Sequence, residues 1–347
     1  MRRRPVLIVV CATAAVAAVV GAFAATSHSA KTAGANTSIT VYSWQHPETV
    51  EQLVKAFEAK TGINVNLRSD DEGVLAAQII QEGSHSPADV FLTENSPPLE
   101  ELASRGLLAP VAASTLTKTS ATLSSPTRHW AAVSARVSTI VYNTNDLKPS
   151  QLPTSVLQLA DLKWKGKLAI SPGETDFQPI VTAVAARYGQ ARAVKWLEGI
   201  RSNASGHTYP DNETLVAQVN SGQAELGVIN HYYWYRLRDE VGTSKIHSAE
   251  HFFAAGDPGY VIDVSGAGIL ASSSHRAEAQ KFLAFLVSKQ AQELIAHDES
   301  YEYPLGSGVV IAKPLVPFGK LRPDPISVAK LGTGQLAISL LRQASLL

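Results

Sequence analysis

The feature that most constrains the fold is a repeated switch between two hydrophobic periodicities. Ser38–Trp44 (SITVYSW) is β-branched and aromatic, the composition of a strand. Directly after it, Pro47 suits the first turn of a helix, and Val50, Leu53, Val54 and Phe57 fall at i, i+3, i+4 and i+7 on one apolar face. Gly62 follows where a helix would end on a left-handed glycine. The switch then recurs, with INVNLRS and ADVFLTE as strands and GVLAAQIIQEG and PPLEELASRG as helices. It resumes with the strands STIVYNT (138–144), GKLAIS (166–171) and AELGVIN (224–230), and with helices at FQPIVTAVAARYG, QARAVKWLEGIRS and NETLVAQVNSG. AEAQKFLAFLVSKQAQELIAHD reads as one long amphipathic helix or as a helix pair. Such β-α-β steps predict an α/β chain, its sheet mainly parallel with helices on the faces. No self-similarity at a period of about 20–50 residues is visible, which excludes solenoids and propellers.

At 347 residues the chain has room for two domains of ordinary size. Its first thirty residues stand outside the pattern. MRRRP is a basic n-region, and VLIVVCATAAVAAVVGAFAA is an apolar run ending in small residues. Ala22-Phe23-Ala24 reads as an A-x-A cleavage site, so residues 1–24 are a signal peptide. The run is also about long enough to span a bilayer, and an uncleaved anchor is the alternative. Both readings place the body of the protein outside the cytoplasm. Residues 25–37 read as a linker, ending in the polar KTAGANT. The only cysteine, Cys11, lies inside the apolar run and not at its end, so it is not a lipoprotein cysteine. The exported chain therefore has no disulfide, no thiolate metal site and no cysteine nucleophile. Losing Arg2, Arg3 and Arg4 from 30 basic residues leaves 27 against 30 acidic ones, a mild net charge of −3. No basic stripe stands out, which argues against a nucleic-acid partner. There is no G-x-S-x-G elbow (DVSGAG fails the pattern) and no H-E-x-x-H motif, so a hydrolase is disfavoured.

In open α/β sheets ligands bind beyond the carboxyl ends of strands. Those ends here carry Gln45-His46, then Glu94-Asn95, then PGETD (172–176), then Asn230-His231-Tyr232-Tyr233. One imidazole, several carboxylates and a tyrosine pair thus converge. A phenolate is a hard anionic oxygen donor that suits ferric iron, and a trivalent cation can displace the phenol proton near neutral pH. His46, Glu94, Tyr232 and Tyr233 together carry −3 when the phenols are ionised, which balances Fe³⁺. Zinc or copper sites would show more histidine or cysteine. The competing reading of INHYYWYRL (229–237) is an aromatic helix start or strand end packed into the core. Adjacent helical residues do not face each other, so both tyrosines reach one ion only if the backbone turns at a strand-to-helix junction.

The stretches ITVYSWQHPETVEQLVKAFEAKTGINV, PADVFLTEN, RGLLAPV, KWKGK, VINHYYWYRL, VSGAGIL and AEAQKFLAFLVSKQAQELIA…YEYPL resemble, in collinear order, the bacterial ferric-ion-binding proteins. These are the periplasmic substrate-binding components of ABC-type iron(III) importers. The resemblance runs from about residue 38 to near the C-terminus. It implies a two-lobed periplasmic-binding-protein fold of type II, each lobe a mainly parallel sheet flanked by helices, with Fe³⁺ as bound cargo in the interlobe cleft. The lobes are expected at 38–138 plus 263–313 and at 139–262 plus 314–347. The resemblance assigns His46, Glu94, Tyr232 and Tyr233 as ligands, and Asn95, Asn212 and Asn230 as support for a bound anion. It also implies a monomer that delivers iron(III), with or without a small synergistic anion, to a membrane permease. One departure concerns the small S-G-A loop with which some relatives hold phosphate. Glu174-Thr175-Asp176 stands there instead, and two carboxylates would repel a phosphate dianion. Asp176, or else Glu174, then supplies the extra oxygen; the alternative is that Asp176 or Thr175 only caps the following helix. The rival cargo within the same architecture is a small organic solute of the polyamine, thiamine or phosphonate kind.

Overall fold

The computed structural model describes residues 37–311 and 314–347. The export segment with Cys11, and nearly all of the linker, lie outside the described residues. Ten strands form one continuous sheet. They are β1 (Ser38–Trp44), β2 (Asn64–Ser69), β3 (Val90–Thr93), β4 (Leu108–Ala109), β5 (Trp130–Asn143), β6 (Leu168–Ala169), β7 (Leu226–Asn230), β8 (Ser248–His251), β9 (Ile262–Leu270) and β10 (Tyr303–Pro304). The main path runs β2-β1-β3-β9-β5-β7-β6, with β4 on β9, and β8 and β10 on β5.

The sheet is mixed rather than mainly parallel. The pairs β1–β2, β1–β3 and β6–β7 are parallel, as expected from the β-α-β steps between them. The middle is antiparallel, because β9 and β5 enter from distant parts of the chain without a helical crossover. β5 is buried along its whole length and changes partner midway. Trp130–Val137 pair with β9, and Ser138–Asn143 pair with β7 and β8.

Each part of the sheet is covered on both faces. Helix Pro47–Thr61 turns Val50, Leu53 and Phe57 onto β1, as its periodicity predicts, and ends at Gly62 with φ of 70°. Phe282 and Phe285 of helix Arg276–Leu286 complete that layer. On the opposite face, Leu75, Ile79, Leu99 and Leu102 pack with Tyr42, Phe91 and Trp130. In the other part, helices Gln178–Tyr188 and Gln190–Asn203 cover one face of β5–β7–β6, and the C-terminal helix Gln335–Gln343 packs on both of them. Leu215, Val216 and Val219 of helix Asn212–Asn220 cover the opposite face. The amphipathic stretch near the C-terminus resolves into two helices, Arg276–Leu286 and Lys289–His297, because Ser288 caps the second through the Ala291 N–H. Among the described residues, no helix is long and apolar enough to cross a membrane.

β9 is held closely on both sides. A Cβ added at Gly266 would lie 2.7 Å from Leu99 Cδ1, 2.9 Å from Trp130 and 3.2 Å from the Ala131 carbonyl. Gly266→Ala is therefore expected to lower stability by about 1–3 kcal/mol in urea unfolding, the usual range for an overpacked core. An unchanged midpoint would show that the strand has slack.

Candidate metal centre

The site lies where β1, β3 and β7 end. His46 follows β1 and starts helix Pro47–Thr61, yet its side chain makes no cap bond and is buried. Glu94 follows β3 and is buried. β7 ends at Asn230, and the chain turns directly into helix His231–Val241. That junction is the turn two neighbouring phenols need. The rings of Tyr232 and Tyr233 lie 4.1 Å apart, and both hydroxyls reach one carboxylate oxygen. Tyr233 donates to Asp176 Oδ2 at 3.0 Å, and Tyr232 donates to the same atom at 3.4 Å and to Glu94 Oε2 at 3.4 Å. The His46 ring meets Tyr232 edge-on at 4.9 Å, and His46 Nδ1 is 3.2 Å from Glu94 Oε1. His46, Glu94, Asp176, Tyr232 and Tyr233 thus form one buried cluster.

The flanking residues divide. Asn95 donates from Nδ2 to Asp176 Oδ1 at 3.2 Å, to Thr175 Oγ1 at 3.0 Å and to Glu72 Oε1 at 2.9 Å. Asn212 donates to Asp176 Oδ2 at 3.3 Å. Asp176 does not cap a helix: the cap position of helix Gln178–Tyr188 is Phe177, with no side-chain bond. Glu174 lines the rim of the crevice with Trp44, Ser69 and Glu213. Asn230 is buried, and its amide nitrogen makes no hydrogen bond to the cluster or to any other group. His231 turns away, stacking on Tyr303 at 4.8 Å and pairing with the Tyr301 carbonyl.

Four further charged residues complete the surroundings. Arg136, on β5, is fully buried; it donates to the Glu94 carbonyl and to Glu302, and lies 3.7 Å from Glu94 Oε2. Glu72 accepts the backbone N–H groups of Glu94 and Asn95, each at 3.1 Å, and so fixes the turn after β3. Arg236 places Nη1 2.9 Å from His46 Nδ1. A lone charge in the apolar run WAAVSARVSTIVYN was a signal for Arg136, and the helical spacing of Arg236 from Tyr232 and Tyr233 was a signal for that residue. Glu302, within YEYPL, and Glu72, in an ordinary acidic helix start, carried none.

Burial dominates the electrostatics. It pushes both phenols well above their ordinary range, with Asp176 adding to the shift. It raises Glu94 well above the usual carboxylate range and Glu72 to about 7. It holds His46 well below its ordinary value, helped by Arg236 and then Arg136, so the imidazole is neutral. The cluster is accordingly built on protonated phenols that donate to the side-chain oxygens of Asp176 and Glu94. Among the described residues, no group of three or more His, Cys, Asp or Glu side chains could hold a metal alone. The two phenols are what would complete a coordination sphere: one imidazole and four oxygen donors, a set suited to a hard, highly charged cation.

Comparison with known proteins agrees with this chemistry. The family profile for bacterial extracellular solute-binding protein matches residues 43–293. The Fe(3+)-binding periplasmic protein of Serratia marcescens is 37% identical over 318 residues, covering 92% of this chain and 93% of that one. The major ferric iron-binding protein of Neisseria meningitidis is 37% identical over 310 residues, covering 89% and 93%. Iron-bound HitA from Pseudomonas aeruginosa superposes with a TM-score of 0.83 at 38% identity, over 89% of this chain and 99% of that one. The shared fold is the two-lobed type II periplasmic-binding-protein fold.

Two kinds of group set the pH response of the metal-free protein. The carboxyls of Glu72 and Glu250 are raised from 4.5 to about 7 and about 8, both chiefly by burial. The folded chain therefore keeps protons that the unfolded chain has released, and this stability is lost as pH rises through those values. His231, lowered from 6.5 to about 3, acts oppositely, but only below 6.5. The thermal midpoint of metal-free protein is expected to fall between about pH 6.5 and 8.5, and Glu72→Gln with Glu250→Gln should reduce that slope, leaving the part due to Glu174, which burial raises to about 8. A midpoint that rises over this range would contradict the assignment.

Proposed function

We propose that this chain, which belongs to the family of bacterial extracellular solute-binding proteins, captures iron(III) outside the cytoplasm and delivers it to an ABC-type permease. The observation that carries the reading is the convergence of both Tyr232 and Tyr233 hydroxyls on Asp176, beside Glu94 and His46. Ionised, the two phenols and two carboxylates carry −4. Fe³⁺ leaves −1, beside the Arg136 guanidinium that Glu94 shares with Glu302. Asp176, held by Asn95 and Asn212, would supply from the protein the oxygen that a synergistic phosphate otherwise gives. Glu174 borders the crevice, and Thr175 accepts from the same Asn95 amide that holds Asp176.

The act is capture, not catalysis. We place the lobe boundaries at 38–138 with 263–313 and at 139–262 with 314–347. The change of partner along β5 between Val137 and Ser138, and the return of the C-terminal helix onto Gln178–Asn203, support this division. His46 and Glu94 then belong to one lobe, and Asp176, Tyr232 and Tyr233 to the other. A cation bridging them favours the closed form, which is the form that would dock on the permease. Each phenol that binds must lose its proton, so affinity falls in acid. The crevice beside the cluster measures about 170 Å³. Pockets for organic ligands usually span about 300–1,000 Å³, which disfavours a polyamine or thiamine as cargo.

Protein loaded with a ferric salt should show a visible phenolate-to-iron charge-transfer band. Tyr232→Phe with Tyr233→Phe should abolish the band and weaken iron binding by more than about 100-fold, beyond what outer-shell changes produce. Binding should remain tight in phosphate-free buffer and be lost in Asp176→Ala. A colourless iron complex would remove the tyrosines from the site, and dependence on added phosphate would remove Asp176.

A further inference from the structure

Arg236 stands between two crevices. On one side it borders the metal crevice together with His46, Glu94 and Tyr233. On the other it borders an acidic crevice of about 380 Å³, lined by Glu48, Asp239, Glu240, Glu299 and Tyr301. Its Nη1 lies 2.9 Å from His46 Nδ1, closer than Glu94 Oε1 at 3.2 Å.

The chemistry of this contact is restrictive. A guanidinium has donors only, so His46 Nδ1 must accept with its lone pair. A neutral imidazole has one bare nitrogen, and the other carries the proton. That other nitrogen, Nε2, is buried without a hydrogen-bond partner, 3.7 Å from Glu302 Oε1. While Arg236 holds Nδ1, His46 therefore has no lone pair for a metal at either nitrogen.

We propose that Arg236 is an internal competitor for His46. It holds the imidazole lone pair while no metal is bound, leaves toward the acidic side chains of the neighbouring crevice when a ferric ion binds, and returns as the ion departs. This rests on the reading of His46 as a ligand. Arg236 is a positioning residue that lowers the net affinity for iron and speeds release. Its return would close His46 to rebinding during delivery.

The test compares wild type with Arg236→Met, which removes the donor, and with Arg236→Gln, which keeps length and polarity. Ferric ion supplied from a weak chelator gives affinity, and transfer to a strong chelator gives the release rate. Arg236→Met should bind iron roughly tenfold or more tighter, the scale of one charge-assisted hydrogen bond, with slower release and an unchanged charge-transfer band. Arg236→Gln should move in the same direction. In metal-free protein with ¹⁵N-labelled histidine, His46 should carry its proton on Nε2, and Arg236→Met should shift the Nδ1 resonance. Unchanged or weaker iron binding in both variants, or a proton found on Nδ1, overturns the competitor. His46→Ala tests the premise separately: if it binds iron as tightly as wild type, His46 is not a ligand, whatever Arg236 does.

Discussion

The buried guanidinium of Arg136 is the charge on which the other groups depend. It sits on β5 next to the point where that strand changes partner, in a run otherwise built from small and apolar side chains. Burying a cation there is costly unless its hydrogen bonds are made. Glu302 takes one end, the Glu94 carbonyl takes another, and the ring of Tyr232 lies 5.6 Å from its centre. Without it, Glu94 and Glu302 would be neighbouring buried carboxyls with no counter-charge. One residue thus ties the end of β3, the start of helix His231–Val241 and the approach to β10 to the middle of the sheet.

That tie explains why the cluster forms where the sheet changes character. Parallel strands deliver their carboxyl ends, with His46, Glu94 and the tyrosines, to one edge. The antiparallel strands β5 and β9 join the two sets of parallel strands. Asp263 on β9 pairs in register with Arg136 on β5, and accepts the Ser96 hydroxyl at 2.9 Å. The joining strands therefore also anchor the helix that starts just beyond Glu94. Movement between the proposed lobes would be felt first by these contacts.

Much of this was legible in the sequence. Strand and helix periods located the parallel parts, and reading strand ends brought out His46, Glu94, Asp176 and the tyrosine pair. β9 (IDVSGAGIL) and the first half of β5 (WAAVSAR) were not read as strands, because small residues blur a period of two. Their pairing is fixed by neighbours such as Leu99 and Trp130, which press on Gly266. The ion network escaped for a similar reason. Arg136 and Glu302 are 166 residues apart, and no local pattern joins them. The resemblance, not a local pattern, put Asn230 among the anion-supporting groups; its amide nitrogen is buried without a hydrogen-bond partner, and sequence gives no sign of what a side chain will pair with.

The choice of tyrosine follows from what a buried acidic cluster must do both with and without a cation. A cage of carboxylates alone would bury like charges without donors, which the interior disfavours. Histidines or thiolates would favour softer divalent ions. A phenol serves both states. Protonated, it donates to Asp176 and Glu94 and lets the acidic cluster stay buried without metal. Burial and those same carboxylates raise its pKa, so only a strong electrostatic competitor removes the proton. On the proposed reading that competitor is a trivalent cation. The proton that lets the acidic cluster be buried is then the one the cargo expels, so the same hydrogen bonds also set how strongly a cation must act to enter.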